Sequence, residues 1–308
     1  MIKDEIRQLC REKNAIIMAH YYTRPEIQDV ADFIGDSLAL AQKATTVDAD
    51  IIVMCGVHFM GETMKILCPD KKVLIPDMAA GCSLADSCKA ADLAKFKAEH
   101  PGHMVVSYVN TSAAVKALTD VVVTSSNARK IVEQLPQDAK IIFGPDKNLG
   151  NYINSVTGRD MLLWDGACHV HSRFSLEALL DLKKKNPDAP VLAHPECKGV
   201  ILTQANKIGS TKALLDFVIT SPQKRFIVVT ESGILHEMQK ACPDKEFIPV
   251  PPEATETIGC HCNECEYMRL NTLEKLLACL QTEQPEIIIN SELATKALKP
   301  IRLMLEMS

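Results

Sequence analysis

The sequence predicts an α/β protein built from three homologous αβα domains, each with a four-stranded parallel sheet, arranged around a pseudo-threefold axis with a central cavity. Three observations predict it. Short β-branched runs alternate with longer helical patterns along the whole chain. Three of those runs, IIMAHYY (Ile16 to Tyr22), VVSYVN (Val105 to Asn110) and VLAHPE (Val191 to Glu196), end in polar residues capable of chemistry. The landmarks after those ends recur at fixed spacing. From His20 to Ser37, from Tyr108 to Ser125 and from His194 to Thr211 is 17 positions each time, and a further 19 reach Gly56, Gly144 and Thr230. The offsets between units, 88 and then 86, hold for all three landmarks.

The elements follow in order. MIKDEIRQLCREK opens the chain as a charged helical pattern. Each unit then reads as a strand, a helix, a second strand, a helix opened by a hydroxyl residue (in GDS, TSS and GST), and a third strand ending at Gly56, Gly144 or Thr230. A third helix (VHFMGETMKIL, KNLGNYINSV, ILHEMQKA) and a fourth strand (KVLIPD, DMLLWDG, EFIPVPP) complete it. Right-handed crossovers make each unit, about 70 residues long, a small parallel sheet with helices on both faces. The expected units are 1–85, 86–172 and 173–259. In 260–308 a cysteine motif is followed by closing helices, NTLEKLLACLQ and SELATKALKPIRLMLEMS, expected to pack back on the first repeat.

Thirty-four basic against 39 acidic residues, a net charge of −5 and only 5% aromatics leave neither a basic face for phosphate backbones nor a set of stacking rings, so nucleic acid is excluded as the expected partner. At 47% hydrophobic, the chain of 308 residues has enough apolar material for a real core in every unit. No apolar run approaches a membrane span and the N-terminus has no signal-like core, which predicts a soluble, cytoplasmic protein. The 12 cysteines are then reduced thiols. Cys10, Cys55, Cys68, Cys242 and Cys279 read as small hydrophobes in helical or strand patterns.

Each repeat delivers one cysteine-bearing loop after its fourth strand: Cys82 in AAGCSLADSC, Cys168 in DGACHVH, and the GCHCNEC stretch with Cys260, Cys262 and Cys265. GCHCNEC alone lacks the second knuckle of a structural zinc site. Three repeats around a common axis instead bring Cys82, Cys168 and one cysteine of the last motif together, a soft site suited to iron and sulfide. Three ligands on a four-iron cluster leave one iron open as a Lewis acid, which is dehydratase chemistry. Zinc held by the CxCxxC motif alone, in a metal-binding or redox-sensing protein, is the rival from another class; a hydro-lyase for some other hydroxy acid is the rival enzyme.

MAHYY, FIGDSLALA, YVNTSAAVKA, VTSSNA, GPDKNLGNY, WDGACHVH, AHPEC, GSTKAL and CEYMRLNTLEKL together resemble the quinolinate synthase family, in order over nearly the whole chain. The resemblance implies three α/β domains around a pseudo-threefold axis with a central active-site cavity, and a [4Fe-4S] cluster in it. It implies condensation of iminoaspartate with dihydroxyacetone phosphate to quinolinate, with loss of phosphate and two waters, in de novo NAD synthesis. An aspartate oxidase or dehydrogenase must supply the unstable iminoaspartate. The ligands it implies are Cys82, Cys168 and Cys265; this chain has CxCxxC where family members have CxxCxxC, which keeps Cys262, and less readily Cys260, as rivals for the third place.

The remaining roles combine position with that resemblance. Ser37, Ser125 and the pair Ser210 and Thr211 open helices, where hydroxyls and backbone N–H groups can hold carboxylates or phosphate, although N-capping alone also explains such residues. Tyr22 and Glu196 are expected acid/base groups, His20 a catalytic phosphate or carbonyl contact beside Tyr22, and His194 its counterpart beside Glu196. Tyr108 and Asn110 orient substrate, and His171 meets a substrate carboxylate beside Cys168. His169 is expected to be an outer or exposed partner, GPDKNLG a strand-to-helix turn near the site, and Lys147 merely solvated.

Overall fold

The computed structural model describes residues 2–253 and 263–308. It contains three four-stranded sheets, all of their strand pairs parallel. The first repeat runs α1 (Ile2–Glu12), β1 (Ala15–His20), α2 (Pro25–Gln28), β2 (Phe33–Gly35), α3 (Ser37–Ala44), β3 (Ile51–Cys55), α4 (His58–Leu67) and β4 (Lys72–Leu74), and α5 (Ser83–Asp86) leads out of it. The second runs α6 (Ala90–Glu99), β5 (Met104–Tyr108), α7 (Ala113–Lys116), β6 (Val121–Val123), α8 (Ala128–Gln134), β7 (Ile141–Gly144), α9 (Lys147–Thr157) and β8 (Leu162–Leu163). The third runs α10 (Leu176–Lys185), β9 (Val191–Ala193), α11 (Gly199–Leu202), β10 (Lys207–Ile208), α12 (Thr211–Thr220), β11 (Arg225–Val229), α13 (Ile234–Ala241) and β12 (Glu246–Pro249). Helices α14 (Leu273–Thr282) and α15 (Ser291–Met307) follow.

The strand orders, β2-β1-β3-β4, β6-β5-β7-β8 and β10-β9-β11-β12, are one permutation used three times. The repeat inferred from spacing is therefore a repeat of topology. Alternate residues along each first strand enter different apolar clusters, as the two-residue period of a strand requires. Met18, Val106 and Leu192 join one large cluster that runs through all three repeats. Ile17 and Ala19 join an outer cluster with α1, α2 and α14; Val105 joins one with α6 and α7; Val191 and Ala193 join one with α10 and α11. Both faces of every sheet are thus buried, which explains strands that read as continuous apolar runs. Helix α14 lies against α1, whereas α15 lies against α4 of the first repeat and against α7, α8 and β6 of the second.

Two local expectations change. The strands stop at His20, Tyr108 and Ala193, earlier than the apolar runs suggested, because the chain turns at once: Thr23 N–H bonds to His20 O at 3.1 Å and Cys197 N–H to His194 O at 3.0 Å. Tyr22, Asn110 and Glu196 therefore sit on turns beyond the strand ends. Ser125 does not open a helix. Asn127 accepts from Thr124 N–H at 2.6 Å and is the residue before α8, so the chain makes one extra turn between Ser125 and the helix.

Candidate active site

Because all four strands of a sheet run the same way, their C-terminal ends lie along one edge, where helix N-termini leave N–H groups free. The three such edges face a single cavity. It is lined by His20, Tyr22 and Ser37 from the first repeat, by Tyr108, Asn110 and Ser125 from the second, and by His194, Glu196 and Thr211 from the third. Cys82, Cys168, His171 and Cys265 enter from the loops after the fourth strands. Of the singled-out residues among those described, only Ser210 stays outside: its Oγ accepts from Ala213 N–H as the cap of α12 and lies 2.8 Å from Ser126 Oγ, to which its own hydroxyl can donate. Ser126 in turn bonds Asp36 at 2.6 Å, so one hydroxyl ties three repeats together.

A chain of hydrogen bonds crosses the cavity wall from one repeat to the next. The Tyr108 hydroxyl donates to Glu196 Oε1 at 2.5 Å, and Glu196 Oε2 lies 3.0 Å from His171 Nδ1. His171 Nε2 is 3.0 Å from Thr230 Oγ1, which is 2.8 Å from the Tyr22 hydroxyl, itself 2.6 Å from Thr211 Oγ1. Burial alone would push the Glu196 carboxyl up, but His171 and His194 and the hydrogen bonds from His171 and Tyr108 together hold it below the usual carboxylate range. Burial raises both tyrosines well above their ordinary values. At neutral pH the chain thus joins a carboxylate acceptor to two hydroxyl donors.

His20 and His194 share a further device. In each, Nδ1 accepts the backbone N–H two residues on, from Tyr22 at 3.2 Å and from Glu196 at 3.4 Å. That assigns the proton to Nε2, so each ring is a donor toward the cavity. Burial lowers His20 to about 4 against the pull of Asp36 and Glu196, and lowers His194 to about 3 despite Glu196, so both stay neutral near pH 7. His194 also stacks on His171 with ring centroids 4.5 Å apart.

The three thiols are free, and each stands at the start of a short helical turn. Burial raises Cys82 to about 11, Cys265 to about 12 and Cys168 well above the ordinary value. Against this, N–H groups of Ala85 and Leu84 favour the thiolate of Cys82, that of His171 favours Cys168, and those of Met268 and Tyr267 favour Cys265. A charge on Cys82 would raise both of the other thiols, as expected for neighbours across one space. Converging soft donors, N–H groups aimed at their sulfurs and a strong tendency to stay protonated unless a cation compensates are what a thiolate-bound metal centre requires. The residues fit such a group. Cys168 Sγ, a His171 ring nitrogen and a Glu196 oxygen also lie within 4.8 Å of one another, so a group held by Cys168 would sit beside the hydrogen-bond chain. Cys260 and Cys262 lie outside the described residues.

Several lining or supporting groups escaped sequence reasoning. Glu231 is buried in the cavity wall, accepts from Cys265 N–H at 3.0 Å and Gly233 N–H at 2.6 Å, and faces Arg269 Nη2 at 3.4 Å. Burial lifts it to about 8 against the pull of Arg269. Asp146, in the GPDKNLG turn, accepts from Leu149 N–H at 2.8 Å and from Cys168 N–H at 2.9 Å. Two of the three cysteine loops are therefore pinned by buried carboxyl groups. His169 lines the cavity and sits 2.6 Å from Ser83 Oγ, linking the loops of Cys82 and Cys168. The signal for Glu231 was its place directly after Thr230, a repeat landmark; nothing in the spacing marked Asp146, and His169, expected as an outer or exposed partner, is a half-buried lining residue. Lys147 is exposed, with Asp165 at 2.7 Å, and His236 pairs with Asp29 at 2.8 Å away from the cavity.

Fold and site together define a three-repeat α/β enzyme whose strand ends bring thiols and proton-handling side chains to one cavity. The family model described as quinolinate synthetase A protein (NadA) matches residues 4–306. Quinolinate synthases of Synechococcus sp. and of Chloroherpeton thalassium are each 57% identical to this chain, over 303 and 305 residues, covering 98% and 99% of it and 94% of each of them. That of Microcystis aeruginosa is 56% identical over 303 residues, 98% of this chain and 94% of its own length. The chain belongs to the quinolinate synthetase A family.

Proposed function

We propose that the protein condenses iminoaspartate with dihydroxyacetone phosphate to quinolinate, releasing phosphate and two waters, as a step of NAD biosynthesis. Family membership over nearly the whole chain supports the activity. The observation that carries its placement in this cavity is the hydrogen-bond chain from Tyr108 through Glu196, His171, Thr230 and Tyr22 to Thr211, which joins an ionised carboxylate to neutral hydroxyls across three repeats. Removing water and shifting double bonds both need one group that takes a proton and one that gives it. Glu196 is the acceptor, with Tyr108 and His171 orienting its oxygens; Tyr22 is the donor, reprotonated through Thr230. His20 and His194 offer Nε2–H to carbonyl, carboxylate or phosphate oxygens without becoming bases near pH 7.

Ser37 and Thr211 occupy the first turns of α3 and α12 and would hold anionic groups, since hydroxyls and free N–H groups converge there. Ser125, on the turn before α8, and Asn110 would orient the substrate from the second repeat. This explains how an acidic protein attracts a multiply anionic substrate: the attraction is local. Cys82, Cys168 and Cys265 would hold a [4Fe-4S] cluster, which supplies an open iron as Lewis acid for dehydration. The matching strand ends of all three repeats meeting in one cavity support the pseudo-threefold arrangement. Reduced thiols point to the cytoplasm, and among the described residues no helix is long and apolar enough to cross a membrane. An aspartate oxidase or dehydrogenase would supply the iminoaspartate.

The test is anaerobic quantification of iron, sulfide and quinolinate for wild type and for Cys82→Ser, Cys168→Ser, Cys265→Ser and Cys262→Ser. Cluster and activity should be lost in the first three and kept in the last. Retention in Cys265→Ser with loss in Cys262→Ser would move the third ligand, and wild type replete in iron and sulfide yet making no quinolinate would end the reading.

A further inference from the structure

Two fully buried polar side chains recur at one repeat position without belonging to the cavity. Counting from the last residue of the first strand, His20 in one repeat and Tyr108 in the next, Gln28 and Lys116 each stand eight residues on. Each closes a four-residue helix, α2 or α7. Gln28 Nε2 donates to Tyr21 O at 2.9 Å and Thr23 O at 2.8 Å. Lys116 Nζ donates to Val109 O at 2.8 Å and also to Thr111 O. In both cases the two carbonyls flank one residue that lines the cavity: Tyr22 in the first repeat, Asn110 in the second. In both, a buried threonine one position later bonds back to the strand end, Thr23 Oγ1 to His20 O and Thr111 Oγ1 to Tyr108 O.

The geometry points to a positioning role: Gln28 and Lys116 curl the turn after the first strand around one donor head and so project Tyr22 and Asn110 into the cavity. This rests on the reading of the cavity as the quinolinate-forming site. When the carbonyls of residues i−1 and i+1 bond to the same atom, the backbone wraps that atom and residue i lies on the outside of the bend. Only donors are needed at the centre, and the side chains match that. An ammonium has three N–H groups and no acceptor. The two N–H groups of the Gln28 amide are shared among three carbonyls, the third being Gly233 O at 3.1 Å, while its oxygen has no partner among the described residues. Lys116 sits over the face of Phe59, a cavity-lining ring, with Nζ 5.3 Å from the centroid. The third repeat, counted from its landmark His194 one residue past β9, has Leu202 at the matching place, which cannot donate; there Asn148 Nδ2 reaches in from the second repeat to Glu196 O at 3.1 Å.

The experiment is a double-mutant cycle between Lys116→Met and Asn110→Ala, read as kcat/KM for quinolinate formation by cluster-replete protein, with thermal unfolding measured in parallel. Lys116→Met should lower kcat/KM about 10- to 100-fold, and the double variant should stay within about 3-fold of Asn110→Ala alone, since both act on one contact. Losses that multiply would overturn the proposal, because a merely structural lysine has no reason to act through Asn110. Lys116→Gln should keep kcat/KM within about 5-fold of wild type, as the first repeat already uses an amide at this position. A folded Lys116→Gln protein as impaired as Asn110→Ala would overturn it too. If Lys116→Met does not fold, the cycle between Gln28→Met and Tyr22→Phe carries the same two outcomes. Wild type without quinolinate activity would count against the function, not against this role. A crystal structure of Lys116→Gln and of Gln28→Met decides the role in that case: Asn110 held in the cavity by the amide and Tyr22 released from it are expected, and an unmoved Tyr22 overturns it.

Discussion

His20 ends β1 with its ring buried and its Nδ1 committed to Tyr22 N–H, and the cost of that arrangement is a pH dependence. Its folded value of about 4 lies below the ordinary histidine value near 6.5. Between those two the unfolded chain binds the extra proton and the folded one does not, so stability is complete above about pH 6.5 and falls as pH drops toward 4, by about 1.4 kcal/mol per pH unit for this residue. Denaturant titrations of metal-free protein from pH 7 to 5 carry this contribution together with a like one from His194 and opposing ones from the raised carboxyls of Glu231 and Asp146, so it is read as the difference between variants. His20→Asn, whose Oδ1 can take the place of Nδ1, should reduce the slope by about one proton; an unchanged slope would show that His20 does not titrate as its burial requires. The aspects of such residues that were readable in the sequence are identity and strand-end placement. Unreadable was the fact that His20 and His194 are locked as neutral donors, because that depends on a turn hydrogen bond and on desolvation. Glu231 and Asp146 were hidden for a similar reason: their work is to hold backbone N–H groups of cysteine loops far along the chain.

Among the elements, the start of α13 comes close to the backbone of another repeat. Gly233 precedes that helix, and a Cβ built on it would lie 2.7 Å from Tyr22 Cα and 2.8 Å from Tyr21 O. Both neighbours are backbone, so neither can rotate away. Gly233→Ala should displace the Tyr22 turn, lower quinolinate formation at least about 10-fold and cost about 1–3 kcal/mol of stability. Unaltered kinetics in that variant would mean the Tyr22 position tolerates a shift of its backbone. The order of elements was legible because spacings of 17 and 19 residues recur, and such regularity survives wherever helices and strands keep their lengths. Ser125 shows where that fails: α8 begins three residues after it, since the Thr124 to Asn127 turn takes up the difference, and a shared hydroxyl type concealed the change.

At the scale of the whole molecule, the inner faces of all three sheets share one apolar cluster, and α15 adds Ala297, Ile301 and Met304 to it. The repeats should therefore unfold together. Trp164 is the sole tryptophan and follows β8 in the second repeat, so its fluorescence reports one repeat while far-UV circular dichroism reports them all. In metal-free protein the two probes should give coincident denaturation midpoints, and Ile301→Ala should shift both alike by about 2–5 kcal/mol. Separated midpoints would mean the repeats are independent units. The Tyr22 hydroxyl adds a matter of timing. Its partners lie 189 and 208 residues further along the chain. On the ribosome, the amino-terminal sheet can close early, yet the tyrosine has nothing to bond until Thr211 and Thr230 have emerged, and Cys265 is made later still. A nascent chain is thus chemically inert until well past its first repeat, and competence waits for residues 211, 230 and 265 to be made.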